Sequence, residues 1–239
     1  MGSARRTAII IGVLILAQMA GSALVNFFAE APLFDGAGFL VNAAAHSNQV
    51  AVAVFIAILM EAIWVAIAIL AFPIISGYST RAALSLLSVS IVCLTIGVVE
   101  NSSVMSMVSL SQAYSTASAA DRAQLETMRI VVSSARNWPH YLGRMSDGFA
   151  ALALYIALFR FALVPRAVGA LGMIAVASML TGLAMPFFGR AVIFPLLAPL
   201  GLTQLTLALW LIVRGFNEGR AARAEGRGLA FGFSPSPSP

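Results

Sequence analysis

Glu61, Glu100, His140, Arg144 and Asp147 each stand inside, or at the end of, a long apolar run. A charge near the centre of a hydrocarbon layer costs at least ~2.5–3.5 kcal/mol, so such groups are kept for a function or neutralised by a neighbour. At about 100° per residue on a helix, His140, Arg144 and Asp147 fall within about 40° of one another and form one polar stripe. Glu61, Glu100 and Asp147 are three carboxyls against one permanent interior cation, Arg144. The excess negative charge is removed if burial keeps one or two carboxyls protonated, or if a protonated His140, a cation or a positive ligand completes the set. The alternative is a locking network with no turnover, in which Arg144 pairs with Asp147 at i,i+3 and Glu100 reaches water. The chemistry that fits the first set is proton or cation handling. Of the two glutamates, Glu100 is the partner expected for Arg144, because both lie toward the same end of their spans. Gln204, flanked by Thr203 and Thr206, adds a polar turn after Pro195, Pro199 and Gly201, where lost amide donors should kink or open a helix.

The elements that must position these residues are membrane spans. Apolar residues make up 60% of the chain and charged ones 10%, and the mean hydropathy is +0.94. A soluble domain is about a quarter charged, so soluble enzymes, disordered regulators and disulfide-stapled domains are excluded. The apolar residues gather into runs of about twenty, long enough to cross a ~30 Å hydrocarbon layer as helices. Six spans are read, at 8–28, 50–74, 82–110, 138–163, 167–187 and 191–214. The expected fold is an all-α integral membrane protein, an antiparallel bundle of six transmembrane helices over 1–215. The formal charge is +5 and all 14 basic residues are Arg, placed at span ends as topology markers, so no nucleic-acid partner is expected. Arg5, Arg6, Arg81, Arg160, Arg166, Arg214, Arg220, Arg223 and Arg227 share one side, against Arg122, Arg129, Arg136, Arg144 and Arg190 on the other. That bias places both termini in the cytoplasm.

The first run resembles a signal peptide, with Ala29-Glu30-Ala31 as a cleavage-like triplet, but Pro32 would hinder the cut and the run is too long. It is read as a permanent helix. Ser118 to Asp121 resembles a capping box opening an amphipathic outer helix between spans three and four, with Leu125, Met128, Val131 and Val132 on one stripe and Arg122 and Glu126 at i,i+4. Pro139 is placed in the first turn of span four, where proline is tolerated. Residues 216–239, ending in Ser-Pro repeats, read as a disordered cytoplasmic tail. Gly12 to Phe28 aligns without gaps on Gly172 to Phe188; a parallel repeat would produce this, and the shared small alphabet of membrane helices that start at a cytoplasmic Arg is the simpler source. Ser102, Ser106 and Ser109 form a stripe suited to helix contact.

Arg6-Thr-Ala-Ile-Ile-Ile-Gly12, Ser47-Asn-Gln and above all Leu163-Val-Pro-Arg-Ala-Val-Gly-Ala-Leu-Gly172 give the chain a resemblance, over roughly residues 5 to 215, to a bacterial multi-pass membrane family described as a domain of unknown function. The resemblance implies a six- to seven-helix inner-membrane bundle and brings no catalytic residues. Metalloprotease, hydrolase-elbow and phosphate-loop signatures are absent, and the single Cys93 makes neither disulfide nor metal cage. His46 and His140 are the only pair that could serve a b-type haem, and no cofactor is expected. The reading is a proton- or cation-linked carrier or sensor with an outward-facing polar chamber formed by Glu61, Glu100, His140, Arg144, Asp147 and Gln204. The alternatives are a non-catalytic membrane subunit packed against a larger complex, or an enzyme using Asp147 or Glu100 as acid or base. Its partners are the lipid bilayer and either other membrane proteins or further copies of itself.

Overall fold

The computed structural model describes residues 3–217. Among these residues the chain is helical and has no strand: α1 (Ser3–Leu24) passes into a π-helical turn (Val25–Ala29), followed by short α2 (Ala31–Phe34) and α3 (Phe39–Asn42). Long helices follow, α4 (Ser47–Ser76), α5 (Thr80–Thr116), α6 (Ala119–Arg160) and α7 (Arg166–Ala184), then 3-10 turns and α8 (Ala198–Val213). Six stretches are long and apolar enough to span a membrane: Ser3–Ala29, Ser47–Ser76, Thr80–Thr116, Ala119–Arg160, Arg166–Phe188 and Phe194–Val213. They correspond one to one with the six expected spans. Large apolar side chains such as Phe55 and Ile174 face outward, as lipid as solvent permits.

Two expectations about the fourth span are corrected. The amphipathic segment is not a separate helix but the first part of α6, which runs unbroken for 42 residues. Pro139 therefore lies in the helix interior rather than in a first turn, where it frees the Ala135 carbonyl without ending the helix. At ~1.5 Å per residue α6 is about 63 Å long, and α5, with 37 residues, about 55 Å, so each outreaches a ~30 Å hydrocarbon layer. The expected cap is present: Ser118 Oγ accepts from Asp121 N at 3.3 Å and donates to Asp121 Oδ2 at 2.6 Å. Of the expected apolar stripe, Leu125 and Val132 are packed inward, whereas Met128 and Val131 are exposed. Glu126 accepts a hydrogen bond from Tyr114 Oη at 3.0 Å, and Arg122 lies 5.3 Å over the Tyr114 ring, so both meet α5 across the tight 117–118 turn. The Ser102, Ser106 and Ser109 hydroxyls are exposed and donate to carbonyls one turn back, which leaves them no interhelical role.

The chain divides into two compact units. The first comprises residues up to Leu16, Trp64–Ile91 and Met145 onward. Its core gathers Ile11, Ile74, Leu158, Leu207 and Leu211. Arg5 caps the end of α8, donating to the carbonyls of Leu211, Ile212 and Val213 at 2.8–3.1 Å. The ring of Tyr155 lies directly against Gly172, where any side chain would collide with it. As the prolines predicted, the last span opens at its start: Phe194–Leu196 is a 3-10 turn and α8 begins only at Ala198. The two segments that align without gaps end differently, one in the π turn Val25–Ala29 and the other in a 3-10 turn, Met185–Phe188. The start of the expected tail is tied down, because Asn217 donates to the carbonyls of Leu163 and Ala162 and Phe216 is buried. The rest of that tail lies outside the described residues.

The second unit comprises Ala17–Ile63 and Val92–Arg144. Its core packs Leu33, Phe39, Leu40 and Val50 on Val104, Met107 and Val108, so the α2–α3 segment is seated on α5 and α6. Every ion pair described below lies in this unit.

Candidate functional site

The site is built on one stripe of α6. Arg136, His140 and Arg144 are spaced i, i+4 and i+8, a separation that places them one above another on a helix face. Counted from Arg160, which ends α6, they stand about 36, 30 and 24 Å along the axis. Each basic group meets a carboxylate from another segment. Arg144 Nη2 donates to Glu61 Oε1 of α4. His140 Nδ1 lies 2.7 Å from Glu100 Oε1 of α5; an ionised carboxylate only accepts, so Nδ1 then carries the hydrogen. Arg136 Nη2 bridges two carboxylates, Glu30 Oε2 at 3.1 Å and Glu100 Oε1 at 3.4 Å.

Local structure explains how these partners arrive. The π turn at Val25–Ala29 inserts an extra residue into the end of the first span and closes with Glu30 N donating to Val25 O at 2.9 Å. Gln49 of α4 donates to the Phe28 and Ala29 carbonyls at 3.3 and 3.2 Å, fixing the turn that presents Glu30. The Phe34 ring of α2 covers the Arg136 guanidinium at 4.7 Å. Glu61 packs against Gly97: a Cβ there would lie 2.7 Å from Glu61 Cγ, so only glycine permits this approach. At Gly143 a Cβ would lie 3.8 Å from Glu100 Oε2, an ordinary contact, so the room for Glu100 does not depend on glycine there.

The side chains of Glu30, Glu61, Glu100 and Arg136 are 5–9% exposed, and those of His140 and Arg144 23% and 27%. Three carboxylates against two guanidiniums leave one uncompensated negative charge. The cluster is neutral when His140 is protonated or when one carboxyl holds a proton. Burial pushes the Glu30 carboxyl above its usual value, opposed by Arg136 and reinforced by Glu100. Beside the cluster is a narrow cleft lined by Ser22, Asn26, Asn101, Met60 and five of the cluster's six ionisable groups, all but Arg136. Its free space is about 20 Å³, where one water needs ~10–15 Å³.

Of the sequence candidates, Glu61, Glu100, His140 and Arg144 come together here. The expected preference of Arg144 for Glu100 is corrected: Glu100 is taken by His140 and Arg136 one and two turns back along α6, and Glu61 pairs with Arg144. Asp147, half-buried one turn further along α6, and Gln204 of α8 belong to the first unit. His46 is exposed and its Nδ1 turns to Asn42 O at 3.1 Å, while His140 lines a cleft too small for a porphyrin. Glu30, Arg136 and Asn101 escaped the sequence reading. Glu30 fell in the cleavage-like triplet and Arg136 was counted as a loop arginine, although the spacing Arg136, His140, Arg144 was the signal that could have revealed the stripe. Neither a curated protein nor a solved structure matches the chain. The model of one family, a domain of unknown function (DUF4386), matches residues 10–215, and the chain belongs to that family.

Proposed function

We propose that this chain is a proton-linked carrier of the bacterial inner membrane, with both termini cytoplasmic and its polar cluster serving as the proton site. The observation that carries this reading is the His140 Nδ1 to Glu100 Oε1 contact at 2.7 Å, set in a buried cluster that lacks one positive charge. A His–carboxylate pair can hold one proton in two positions, and histidine is the side chain whose charge change is reached between about pH 5 and 8. The size of the cleft supports a proton over an organic solute at this point. His140 is faced by Glu100 of α5 and Arg136 of its own helix, with Glu30, Glu61 and Arg144 completing the charge around it. Full-length protein reconstituted into vesicles with an internal pH dye and an imposed potential should carry protons faster than protein-free vesicles, and His140→Gln should slow the flux several-fold. Wild-type flux no greater than that of empty vesicles would overturn the reading.

A second reading, a subunit of a larger membrane assembly, is favoured by Ile130 and Val131, 66% and 69% exposed. They lie about 45 Å along α6 from Arg160, past the reach of a ~30 Å hydrocarbon layer. A photo-crosslinker at Val131 that captures one defined membrane protein from native membranes would favour it, and capture of lipid alone would exclude it.

A further inference from the structure

The second compact unit holds another cavity, of about 440 Å³, where α2 and α3 meet α5 and α6. Small-molecule sites commonly measure ~300–1,000 Å³. The polar lining comes from α6: Arg129, Ser133 and Asn137 at i, i+4 and i+8, with Ser134 beside them, a spacing that stacks them on one helix face. Among the described residues none of these four side chains makes a hydrogen bond or an ion pair. The facing lining is apolar, with Phe34 of α2, Phe39 of α3 and Met107 of α5, and Phe34 is 49% exposed. The loop between α2 and α3 is held in shape, since Gly38 N and Asn42 Nδ2 both donate to Asp35 O at 3.0 and 2.9 Å.

Arg129 is the only charged residue among the described residues that line this cavity. Arg136 is not available to it, being 7% exposed and engaged by Glu30 and Glu100. Arg129 and Asn137 stand about 46 and 35 Å along α6 from Arg160, past the reach of a ~30 Å hydrocarbon layer, which makes water the route of entry. We infer that this cavity binds a water-borne amphipathic organic anion. The acid head pairs with the Arg129 guanidinium and accepts hydrogen bonds from Ser133 and Asn137, while the apolar body lies against Phe34. An organic cation finds no carboxylate in this lining. The inference is independent of the proton reading, because none of the six ionisable groups of that cluster lines the cavity.

The probe is 1-naphthylacetate, with the uncharged 1-naphthylacetamide as its match in shape. Each is equilibrated by dialysis at neutral pH against full-length protein in phosphatidylcholine discs, with empty discs as the blank. Wild type should bind the acid more tightly than the amide. Arg129→Gln should weaken the acid about tenfold, the scale of one lost charge-assisted bond, and leave the amide unchanged. Ala37→Trp, which fills the cavity from an exposed position in its lining, should weaken both. Arg122→Gln, whose guanidinium lies over Tyr114 and not in the cavity, should bind both as wild type does. No acid bound above the blank at about 1 mM would overturn the inference, as would an acid affinity unchanged in Arg129→Gln or lost equally in Arg122→Gln. Binding unaltered by Ala37→Trp would place the anion elsewhere and overturn it too. Loss of acid binding when phosphatidylglycerol replaces a third of the disc lipid would assign the cavity to a lipid headgroup and refute a water-borne ligand.

Discussion

Replacing Arg144 with Leu removes the guanidinium that pairs with Glu61, whose side chain is 7% exposed and packed against Gly97. A pair of unit charges at ~4 Å is worth about 4 kcal/mol at an effective dielectric near 20, and breaking a buried pair by deleting one partner costs ~3–5 kcal/mol. Arg144→Leu should therefore destabilise the protein by about 3–5 kcal/mol. The reverse deletion is milder. Arg144 is 27% exposed, and its long side chain can carry the guanidinium toward water once freed, so Glu61→Leu should cost only ~1–3 kcal/mol. The double variant removes both charges and should recover part of the loss, giving a coupling of about 2 kcal/mol in a double-mutant cycle. Reversible denaturant unfolding in a mild detergent, followed for wild type, both single variants and the double, supplies the four free energies. Two results would refute the reasoning: losses that add within ~0.5 kcal/mol, or a Glu61→Leu variant less stable than Arg144→Leu.

The raised pKa of Glu30 has a definite sign in stability. A carboxyl whose pKa is higher folded than unfolded contributes fully below its usual value, and that contribution is lost as pH rises through the raised folded value. Glu30→Gln should thus flatten the decline in stability with rising pH from about 4.5 upward, as read by thermal unfolding at several pH values. Gly97→Ala should cost about 1–3 kcal/mol by overpacking Glu61, whereas Gly201→Ala, whose added Cβ meets nothing within 4 Å, should be neutral or stabilise by up to ~1 kcal/mol in the same unfolding assay. A reporter fused after Pro239 should report the cytoplasm and one inserted near Ser118 the opposite side; reversed labelling would invert the orientation drawn from the arginine bias.

The spans were legible because lipid imposes one rule, about twenty apolar residues per crossing, and the chain obeys it six times. The continuity of α6 was not, because Pro139 reads as a start signal, and only packing along the helix decides that it sits within one. Four members of the cluster were legible from the cost of charge in lipid. Which carboxylate meets which base was not, because partner choice depends on axial register between helices, set by contacts such as Gly97 against Glu61 that leave no pattern in one strand of sequence. Glu30 shows the same limit more sharply. Its position depends on a π turn held by Gln49, twenty residues away.

The central claim, a buried cluster that exchanges one proton between His140 and Glu100, is tested most directly by infrared difference spectra of the protein in lipid between about pH 8 and pH 5. With 15N-labelled histidine, an imidazolium signal should appear that survives His46→Gln and vanishes in His140→Gln. It should be accompanied by a carboxyl band that Glu100→Gln removes. No signal from His140 across this range, or a His140 signal with no accompanying carboxyl change, would contradict the account.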